Sequence, residues 1–383
     1  MKRILQHKLH ILCLYFGLLL LCTSVSCHAP ELQENKDLSG LGKTVQTQEP
    51  GNNHSESKKS NEDGTVKTEK PVSEEKPGVM TAELLDQKPN ELGEIMILMY
   101  HEIGYLEAEW TRTPENFRRD LETLYEQGYR AVPLMDFVKG NIDIPAGTSP
   151  VVFTFDDGNK GNFYYEENES ELKPASDCAV GIMEDFYQEK PDFGLAATFF
   201  IYYPNPFRES QHIEKKLNYL VSKGFEIGNH THGHADLSRL NSNEIQRELA
   251  LHVQKTQEYV AKCEINSLAL PYGSYPKKSS NFLLEGSFDG TAYKNEAVLL
   301  VGANPSVSPF HEKFNVSRLP RIRASEMKTE GVGLYDWLDY FQRHPEKRYV
   351  SDGDPRYVTA PKSHSNFLDE PALGKKEARF YPD

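Results

Sequence analysis

The sequence of 383 residues predicts an α/β fold in which a mainly parallel sheet curls into a distorted (β/α) barrel. Strand-like apolar segments alternate with amphipathic helices through most of residues 94–325, which is the pattern of βα units around a parallel sheet. The number of these units favours a barrel over an open sheet. Several predicted strands also end in histidine or aspartate, and the carboxyl ends of parallel strands meet at one edge, where α/β proteins place their active sites.

The first βα unit begins with the buried-strand pattern EIMILMYHEIG at residues 94–104. A helix is predicted next, because Thr113 can cap its start, Pro114 suits its first position and Gly128 closes it. The segment YRAVPLMDF predicts a second strand, and PVVFTF predicts a third that runs into two adjacent aspartates.

The alternation continues through the second half of the region. GLAATFFIYY, residues 194–203, predicts a fourth strand, and FEIGNH predicts a fifth after a helix that ends at Gly224. The longest helix is predicted in NSNEIQRELALHVQKTQEYVAKC, where Asn241 and Glu244 have the spacing of a capping box. SLALPYG predicts a sixth strand, and AVLLVGAN and LPRIRA predict two weaker ones.

The N-terminal residues predict an export signal followed by a tether. MKRILQHK is basic, LHILCLYFGLLLLC is apolar, and TSVSC supplies small residues up to Cys27, so residues 1–27 predict a signal peptide. A cysteine at this place resembles a bacterial lipoprotein box, apart from Ser24 where leucine is usual, which leaves lipidation, simple cleavage and retention as an uncleaved anchor open. Residues 28–93 are polar and poor in aromatic residues, and they predict a disordered linker.

Composition limits the partners of the remaining chain. A formal net charge of −14 argues against nucleic acid or an anionic membrane surface as the main partner. A folded domain is expected over residues 94–341, with a polar tail at 342–383.

Cys178 and Cys263 are the cysteines that follow residue 27. Two distant cysteines have neither the spacing of a disulfide framework nor that of a metal site, and whether they pair stays open.

Four short motifs at predicted strand ends carry the polar residues that chemistry would need. They are YH (Tyr100, His101), DDG (156–158), NHTHGH (229–234) and PYG (271–273). Each has an ordinary explanation, since DG is a common turn and an exposed loop can hold histidines by chance. Their convergence on one edge of the sheet favours a functional site, because independent turns have no need to be rich in histidine and aspartate.

The histidines of NHTHGH have a spacing that suits metal binding. An i, i+4 spacing could place His230 and His234 on one face of a helical turn. The pattern differs from the zinc-protease motif H-E-x-x-H, because Thr231 stands where that motif has its glutamate. The general base must therefore come from elsewhere, and the aspartate pair supplies it. Two imidazoles and one carboxylate would form a three-ligand site with open positions, the pattern of catalytic zinc sites.

In their order and type, TFDDG, HTHGH and PYG resemble the motifs of the polysaccharide deacetylases of carbohydrate esterase family 4, which share the NodB-homology domain. The resemblance covers most of the predicted domain and implies a distorted (β/α) barrel of the NodB type with a divalent metal. Zinc (Zn) is the favoured metal, with Co, Ni and Mn as alternatives. By position the resemblance implies that Asp157, His230 and His234 bind the metal. It likewise implies that Asp156 is the general base and that the backbone N–H of Tyr272 binds the oxyanion.

Two departures from the family pattern concern the remaining roles. The family has an arginine, paired with the base, two residues before the proline of PYG, where this chain has Ala269. Arg321 of LPRIR is the candidate replacement, with an ordinary surface cation as the alternative. The family also has a late L-x-H histidine as general acid, and no such motif follows residue 275. LMYHEI resembles the permuted branch that includes the poly-N-acetylglucosamine deacetylases, which implies that His101 is the general acid.

The residues and the resemblance together predict a metal-dependent hydrolase that removes acetyl groups from N-acetylated extracellular or cell-wall polysaccharide. Two alternatives stay open: an esterase that acts on O-acetylated polysaccharide, and a catalytically degenerate glycan-binding lipoprotein. The expected location is outside the cytoplasm, either secreted or anchored to a bacterial membrane through an N-terminal lipid or signal anchor. Nucleic acid is not expected as a partner, and the oligomeric state is not predicted.

Overall fold

A computed structural model describes residues 80–166 and 172–383, and one curled sheet of nine strands organises these residues. In chain order its strands are β1 (Glu94–Tyr100), β2 (Tyr129–Ala131), β3 (Ser149–Phe155), β4 (Thr198–Ile201), β5 (Glu226–Asn229), β6 (Ser267–Ala269), β7 (Ala297–Leu299), β8 (Ser306–Val307) and β9 (Ile322–Arg323). The accompanying helices are α1 (Ala82–Asp86), α2 (Pro114–Glu126), α3 (Leu134–Val138), α4 (Ala179–Glu189), α5 (Ile213–Ser222), α6 (Ser242–Tyr259) and α7 (Leu334–Arg343).

The sheet runs in the order β7-β6-β5-β4-β3-β1, and every neighbouring pair in this run is parallel. β2 pairs in parallel with the start of β3, β9 pairs in parallel with β1, and β8 pairs antiparallel with β1. The stretch that leads into β9 also reaches the other edge. Leu319 forms a parallel bridge to Leu299 of β7, while Ile322 pairs with Leu98 of β1. One chain segment therefore joins both edges of the sheet, and the predicted α/β barrel is confirmed.

Apolar side chains fill the inside of this barrel. Alternate residues of the strands form one buried cluster, which includes Ile97, Val152, Phe200, Ala269 and Leu299. The intervening strand residues pack with the helices in a second, larger cluster, as expected for strands that are buried on both faces. On β3 every second side chain points into the barrel, and counting in twos from Val152 leads through Thr154 to Asp156, the first aspartate of DDG. The period of the strand thus carries that carboxylate to the inner face of the barrel.

Two predicted helices form with the predicted caps. α2 begins after Thr113, whose hydroxyl accepts the N–H of Asn116 at 3.2 Å. α6 begins at a capping box, in which the Asn241 side chain accepts the N–H of Glu244 at 3.1 Å. The Glu244 carboxylate in turn accepts the N–H of Asn241 at 2.9 Å. These caps satisfy N–H groups that the first turn of a helix otherwise leaves without partners.

The strand predicted over YRAVPLMDF is wrong in its second half. β2 ends at Ala131, and α3 begins directly after Pro133. The carboxylate of Glu226 accepts the N–H of Leu134 at 3.2 Å and the N–H of Met135 at 3.1 Å, so it caps this helix. Glu226 lies 92 residues further along the chain than Leu134. Local sequence therefore contains no sign of the cap that decides the structure here.

Among the elements without a predicted counterpart are α4 and a hairpin formed by Glu285–Phe288 and Thr291–Lys294. Cys178 immediately precedes α4, and its sulfur accepts the N–H of Gly181 at 3.5 Å. Cys178 and Cys263 are both buried and free, so the two cysteines do not pair.

Folded structure extends past both predicted limits of the domain. Before residue 94 the chain contains α1, and the N–H of Asn90 donates to the carbonyl of Val350 at 2.8 Å. After residue 341, Tyr357–Pro361 pairs in parallel with Glu377–Tyr381. The limits predicted for the linker, residue 93, and for the tail, residue 342, are corrected accordingly. Leu92 of the first segment and Val358 and Ala360 of the second pack in one buried cluster with Phe310 of the domain between them.

The predicted signal peptide with Cys27, and residues 28–79 of the predicted linker, lie outside the described residues. Export and lipidation therefore stay predictions. Across 80–166 and 172–383, no helix combines the length and the apolar character needed to cross a membrane.

Candidate active site

The three residues predicted to bind metal meet at the carboxyl edge of the barrel. Asp157 follows β3, whereas His230 and His234 follow β5, two strands away in the sheet. Asp157 Oδ1 lies 3.4 Å from His230 Nε2 and 3.1 Å from His234 Nε2. One ligating atom from each residue lies within 4.8 Å of the other two. The sheet order thus brings together side chains that are far apart in the sequence.

The loop after β5 reaches this geometry without a helical turn, so the helical arrangement expected for His230 and His234 is wrong. Thr231 and His234 have φ angles of 60° and 55°, in the left-handed region. Asn229 holds the loop in place: its Oδ1 accepts the N–H of Thr231 at 2.9 Å, and its Nδ2 donates to the carbonyl of Leu249 at 3.0 Å. The polar residues between and before the histidines therefore determine the loop conformation.

Hydrogen bonds at Nδ1 leave Nε2 of each histidine facing Asp157. His230 Nδ1 lies 2.8 Å from the carbonyl oxygen of Ala269, which can only accept, so Nδ1 carries the proton and Nε2 is left as an acceptor. His234 Nδ1 lies 3.0 Å from the hydroxyl of Tyr272. Partners of this kind fix the ring orientation and tautomer of histidines in metal sites.

Both the donor set and the spacing fit a divalent ion. Nitrogen or oxygen atoms about 2.0–2.1 Å from a tetrahedral zinc ion would be roughly 3.4 Å from one another. The two separations from Asp157, 3.4 Å and 3.1 Å, are close to this value. The carboxylate is also in its ligating form. Burial would raise the pKa of Asp157, but the neighbouring imidazoles of His230 and His234 outweigh burial and hold this pKa well below its ordinary value.

The neighbouring carboxylate of Asp156 makes a different set of contacts. Asp156 is 1% exposed and Arg321 is 0% exposed, and Arg321 donates from Nη1 to Oδ1 and from Nη2 to Oδ2, both at 2.7 Å. Arg321 also donates to the hydroxyl of Thr154 at 3.1 Å and to the carbonyl of Leu300 at 2.9 Å. Burial would raise the pKa of Asp156, but the guanidinium outweighs burial and lowers it. The carboxylate is thereby held ionised in one orientation.

This arginine reaches the site from the segment that closes the barrel. Arg321 directly precedes β9 and lies two residues after Leu319, which forms the bridge to Leu299 of β7. Ala269 occupies the position where the family motif has its arginine. It is buried in β6, and its carbonyl oxygen accepts a hydrogen bond from His230 Nδ1. The complete burial of Arg321 overturns the alternative of an ordinary surface cation.

His101 directly follows β1 at the same edge of the sheet. Burial lowers the pKa of His101, and the nearby carboxylates of Asp156 and Asp157 offset this only in part. The ring packs against Trp110, with 4.6 Å between ring centroids. His101 Nδ1 is buried and has no hydrogen-bond partner among the side chains and backbone of 80–166 and 172–383. An unpaired buried nitrogen of this kind is uncommon in folded proteins.

Tyr272 lies in a 3-10 turn, Pro271–Gly273, that follows β6. Its φ angle of 59° is uncommon for a residue other than glycine, and such conformations cluster at functional sites. The side chain is 69% exposed, and its ring contacts that of His234, with 4.7 Å between centroids. The sequence predicts a role for the backbone of Tyr272 alone, and the structure adds the contact between its hydroxyl and His234.

Sequence reasoning missed two residues that support this cluster. The ring of Tyr202 packs against that of His234, with 4.9 Å between centroids. Arg208 Nη2 donates to the Tyr202 hydroxyl at 2.8 Å, to Asn159 Oδ1 at 3.1 Å and to the carbonyl of Asp157 at 3.4 Å. Tyr202 could have been found, because it directly follows β4 at the same edge of the sheet. Arg208 lies in a loop and has no comparable signal.

The fold and the site together define the class of protein. A polar cluster at the carboxyl edge of an α/β barrel occupies the usual position of the active site in barrel enzymes. Residues 143–285 match the family model described as "Polysaccharide deacetylase". The matched range includes Asp156, Asp157, the two histidines and Tyr272, whereas His101 and Arg321 lie outside it.

Several solved structures are similar to this chain. The putative polysaccharide deacetylase BA0330 from Bacillus anthracis is 17% identical over 64% of this chain and 68% of its own, with a TM-score of 0.46. The deacetylase PplD of Streptococcus pyogenes, solved in complex with acetate, is 18% identical over 64% of this chain and 97% of its own, with a TM-score of 0.47. IcaB from Ammonifex degensii is 16% identical over 64% of this chain and 97% of its own, with a TM-score of 0.43.

Proposed function

We propose that this protein is a metal-dependent hydrolase that removes acetyl groups from an N-acetylated extracellular or cell-wall polysaccharide. The family of residues 143–285 supports deacetylation of a polysaccharide as the general reaction. The proposal of a metal-dependent reaction rests on two groups of residues that lie together at the end of β3. The first is the cluster of Asp157 with two histidines, and the second is the buried pair of Asp156 and Arg321. The first group is suited to bind a metal, and the carboxylate of the second is suited to act as a general base. Metal-dependent hydrolysis of an amide uses both.

In this proposal Asp157, His230 and His234 hold the metal. Zinc is favoured over Co, Ni or Mn, because imidazole and carboxylate are typical zinc ligands. A bound divalent ion supplies Lewis-acid chemistry, since it lowers the pKa of a water from about 15.7 toward about 7 and polarises a carbonyl. Catalytic sites of this kind use three protein ligands and leave a further position for water or substrate, and this cluster supplies three.

Asp156 takes the proton of the attacking water. The two hydrogen bonds from Arg321 keep its carboxylate ionised, and each oxygen retains a lone pair that can accept a proton. The same contacts disfavour the protonated form, so Asp156 releases this proton to solvent after the step, and His101 takes up a proton from solvent to replace the one it gives to the leaving nitrogen. The backbone N–H of Tyr272 donates to the oxyanion that develops on the acetyl carbonyl oxygen.

His101 protonates the leaving nitrogen, because an amine is a poor leaving group without a proton. Burial lowers the pKa of His101, and this makes its protonated form a stronger acid that gives up its proton readily.

We place the reaction outside the cytoplasm on the basis of the N-terminal pattern. Residues 1–27 have the basic, apolar and small-residue order of an export signal, and Cys27 ends it. The proposed attachment to the membrane is a lipid on Cys27, and the proposed partner of the folded part is the polysaccharide itself.

The proposed function is tested by acetate release from three glycans measured side by side. Chito-oligomers, peptidoglycan and acetylxylan are incubated with the protein as purified, after chelator treatment, and after readdition of Zn, Co, Ni or Mn. We expect release from an N-acetylated glycan that chelator abolishes and metal restores. Acetate from acetylxylan alone would favour an O-acetyl esterase, and no release from any glycan under any metal would contradict hydrolysis altogether.

The role of His101 predicts a difference between two kinds of substrate. His101→Ala should slow hydrolysis of the glycan amide by about 10²–10⁴-fold, the range typical of a general acid. Hydrolysis of an activated ester such as p-nitrophenyl acetate should fall far less, because its leaving group departs without a proton. The ratio of kcat/KM on the two substrates is the measurement, and metal content is recorded on the same samples.

His252→Ala is the matched control for this prediction. His252 is a fully buried histidine, its Nε2 bonds to the carbonyl of Ile201 at 2.9 Å, and its ring packs against Tyr203. Its loss should lower the melting temperature and affect both substrates alike. If His101→Ala behaves in the same way, His101 has a structural role and does not protonate the leaving group.

A further inference from the structure

Exposed apolar side chains of the described residues are concentrated around the mouth of the barrel. Nine large hydrophobic residues are exposed in this part of the chain, and six of them lie in loops that follow sheet strands at the edge that carries the site. The six are Tyr105, Leu106, Trp110, Tyr272, Val301 and Met327. Exposed apolar surface of this kind, next to polar groups, marks places where a ligand binds. Trp110 has the most informative position of the six.

The backbone and the ring of Trp110 are both held in place. Its carbonyl accepts the N–H of Glu102 at 3.0 Å, where the two short strands Glu102–Ile103 and Thr111–Arg112 pair. The guanidinium of Arg323 lies over the ring, 5.0 Å from the centroid. Arg323 is itself fixed by an ion pair with Glu109 at 3.1 Å. The side chain nevertheless remains 41% exposed, so it offers a rigid apolar surface that loses little conformational freedom when a ligand covers it.

The position of Trp110 relative to the site defines which part of a substrate it can meet. The ring lies 4.6 Å from that of His101, and the metal-binding cluster contains neither residue. The carbonyl that is attacked must lie beside Asp157 and the two histidines. The leaving nitrogen must lie beside His101, and in an N-acetylated glycan this nitrogen is bonded directly to a sugar ring. A sugar ring therefore has to lie next to the tryptophan.

We propose that Trp110 is the stacking platform for the pyranose ring that carries the acetamido group. This inference rests on the proposed function, because it takes the substrate to be an N-acetylated glycan. A pyranose ring has one face made largely of C–H groups, which carry partial positive charge and are attracted to the electron-rich face of an indole. Stacking buries apolar surface on both partners and leaves the hydroxyl groups at the ring edge free for hydrogen bonds. Trp110 thus makes the site select a sugar amide over a small acetylated compound.

Binding can be measured without turnover, because the chain contains only two tryptophans. The other, Trp337, is partly buried in α7 and donates from Nε1 to the carbonyl of Ala303 at 2.9 Å. Trp337→Phe therefore leaves Trp110 as the sole tryptophan, and Asp156→Asn added to it removes the proposed base. Titration with N-acetylglucosamine oligomers should change the emission of Trp110 and lower its acrylamide quenching constant severalfold. Equal quenching with and without saturating oligomer would overturn the stacking role.

Activity gives a second readout on the otherwise unchanged protein. Trp110→Ala should lower the ratio of kcat/KM on N-acetylglucosamine oligomers to kcat/KM on glycerol triacetate, which has no ring. The expected fall is about 10- to 100-fold, as for the loss of one aromatic stacking partner, and it should appear mainly in KM. Trp110→Phe should recover part of the ratio. The control is Tyr187→Ala, which removes an exposed aromatic residue of α4 and should leave the ratio unchanged.

The two experiments separate this inference from the proposed function. Protection of Trp110 by oligomers without any acetate release would support the platform and contradict the hydrolase. Acetate release with an unchanged substrate ratio in Trp110→Ala would support the hydrolase and overturn the platform.

Discussion

Replacement of Asp157 by asparagine is expected to lower bound metal and acetate release together. Asparagine is the suitable substitution because Asp157 has a φ angle of 73°, a left-handed conformation that asparagine adopts more readily than alanine. The change keeps the shape of the side chain and removes the negative charge that faces His230 and His234 at 3.4 Å and 3.1 Å. Loss of a group that only supports a metal ligand typically costs about 10–100-fold in metal affinity, so loss of the ligand charge should cost at least as much.

The measurement is metal per chain after gel filtration, together with kcat/KM on the glycan that releases acetate. His232→Ala is the matched control, because His232 lies in the same loop but stacks on Tyr203, with 5.9 Å between ring centroids. The control should keep the metal content of the unmodified protein. Full metal occupancy in Asp157→Asn, or an equal loss of metal in His232→Ala, would show that the ligand set is assigned incorrectly.

Asp156→Asn is expected to retain metal and to lose turnover by about 10²–10⁴-fold, the typical contribution of a general base. The amide has the shape of the carboxylate but does not accept a proton from water. The kcat on the glycan and the metal content are measured on the same preparation. Near-normal turnover in a metal-loaded sample would mean that another group takes the proton.

The same substitution should also destabilise the protein, and this effect needs its own control. Asp156→Asn leaves the guanidinium of Arg321 buried without a counter-charge, and breaking a buried ion pair in this way costs about 3–5 kcal/mol of unfolding free energy. Asp120→Asn breaks another buried ion pair, since Asp120 and Arg112 are both buried and lie 2.6 Å apart, while Arg112 keeps its contacts to Glu107 and Glu326. The control should lower the melting temperature with little change in kcat of the folded fraction. An equal loss of kcat in both variants would attribute the effect of Asp156 to structure.

Local patterns predicted the elements whose causes are themselves local. α2 and α6 begin at caps that lie within three residues of the N–H groups they satisfy: Thr113, and Asn241 with Glu244. The buried strands β1 and β3 were equally visible, because a strand covered on both faces is a continuous apolar run. Predictions of this kind need only the few residues that neighbour each other along the chain.

The errors occurred where a distant residue decides local structure. α3 is capped by a carboxylate, that of Glu226, from another strand, so the strand predicted through its sequence ended early. His230 and His234 of HTHGH come together through left-handed backbone at Thr231 and His234. Asn229 holds this loop by hydrogen bonds to Thr231 and to Leu249 of α6. A helical turn was the simplest arrangement for their spacing, and nothing within the loop itself excluded it.

The sequence by itself determined the alternation of strands and helices, the presence of Asp156, Asp157 and the histidines at strand ends, and hence the edge of the barrel at which they lie. Only the tertiary structure decided that Arg321 is the partner of Asp156, from 165 residues away. It also decided that Trp110 lies against His101 and that the segment before β9 closes the sheet. The physical reason is range: hydrophobic periodicity and capping act between residues within a few positions of each other. A buried charge pairs with whichever opposite charge the packed barrel places beside it. Because that partner can lie far away in the sequence, the local pattern does not reveal it.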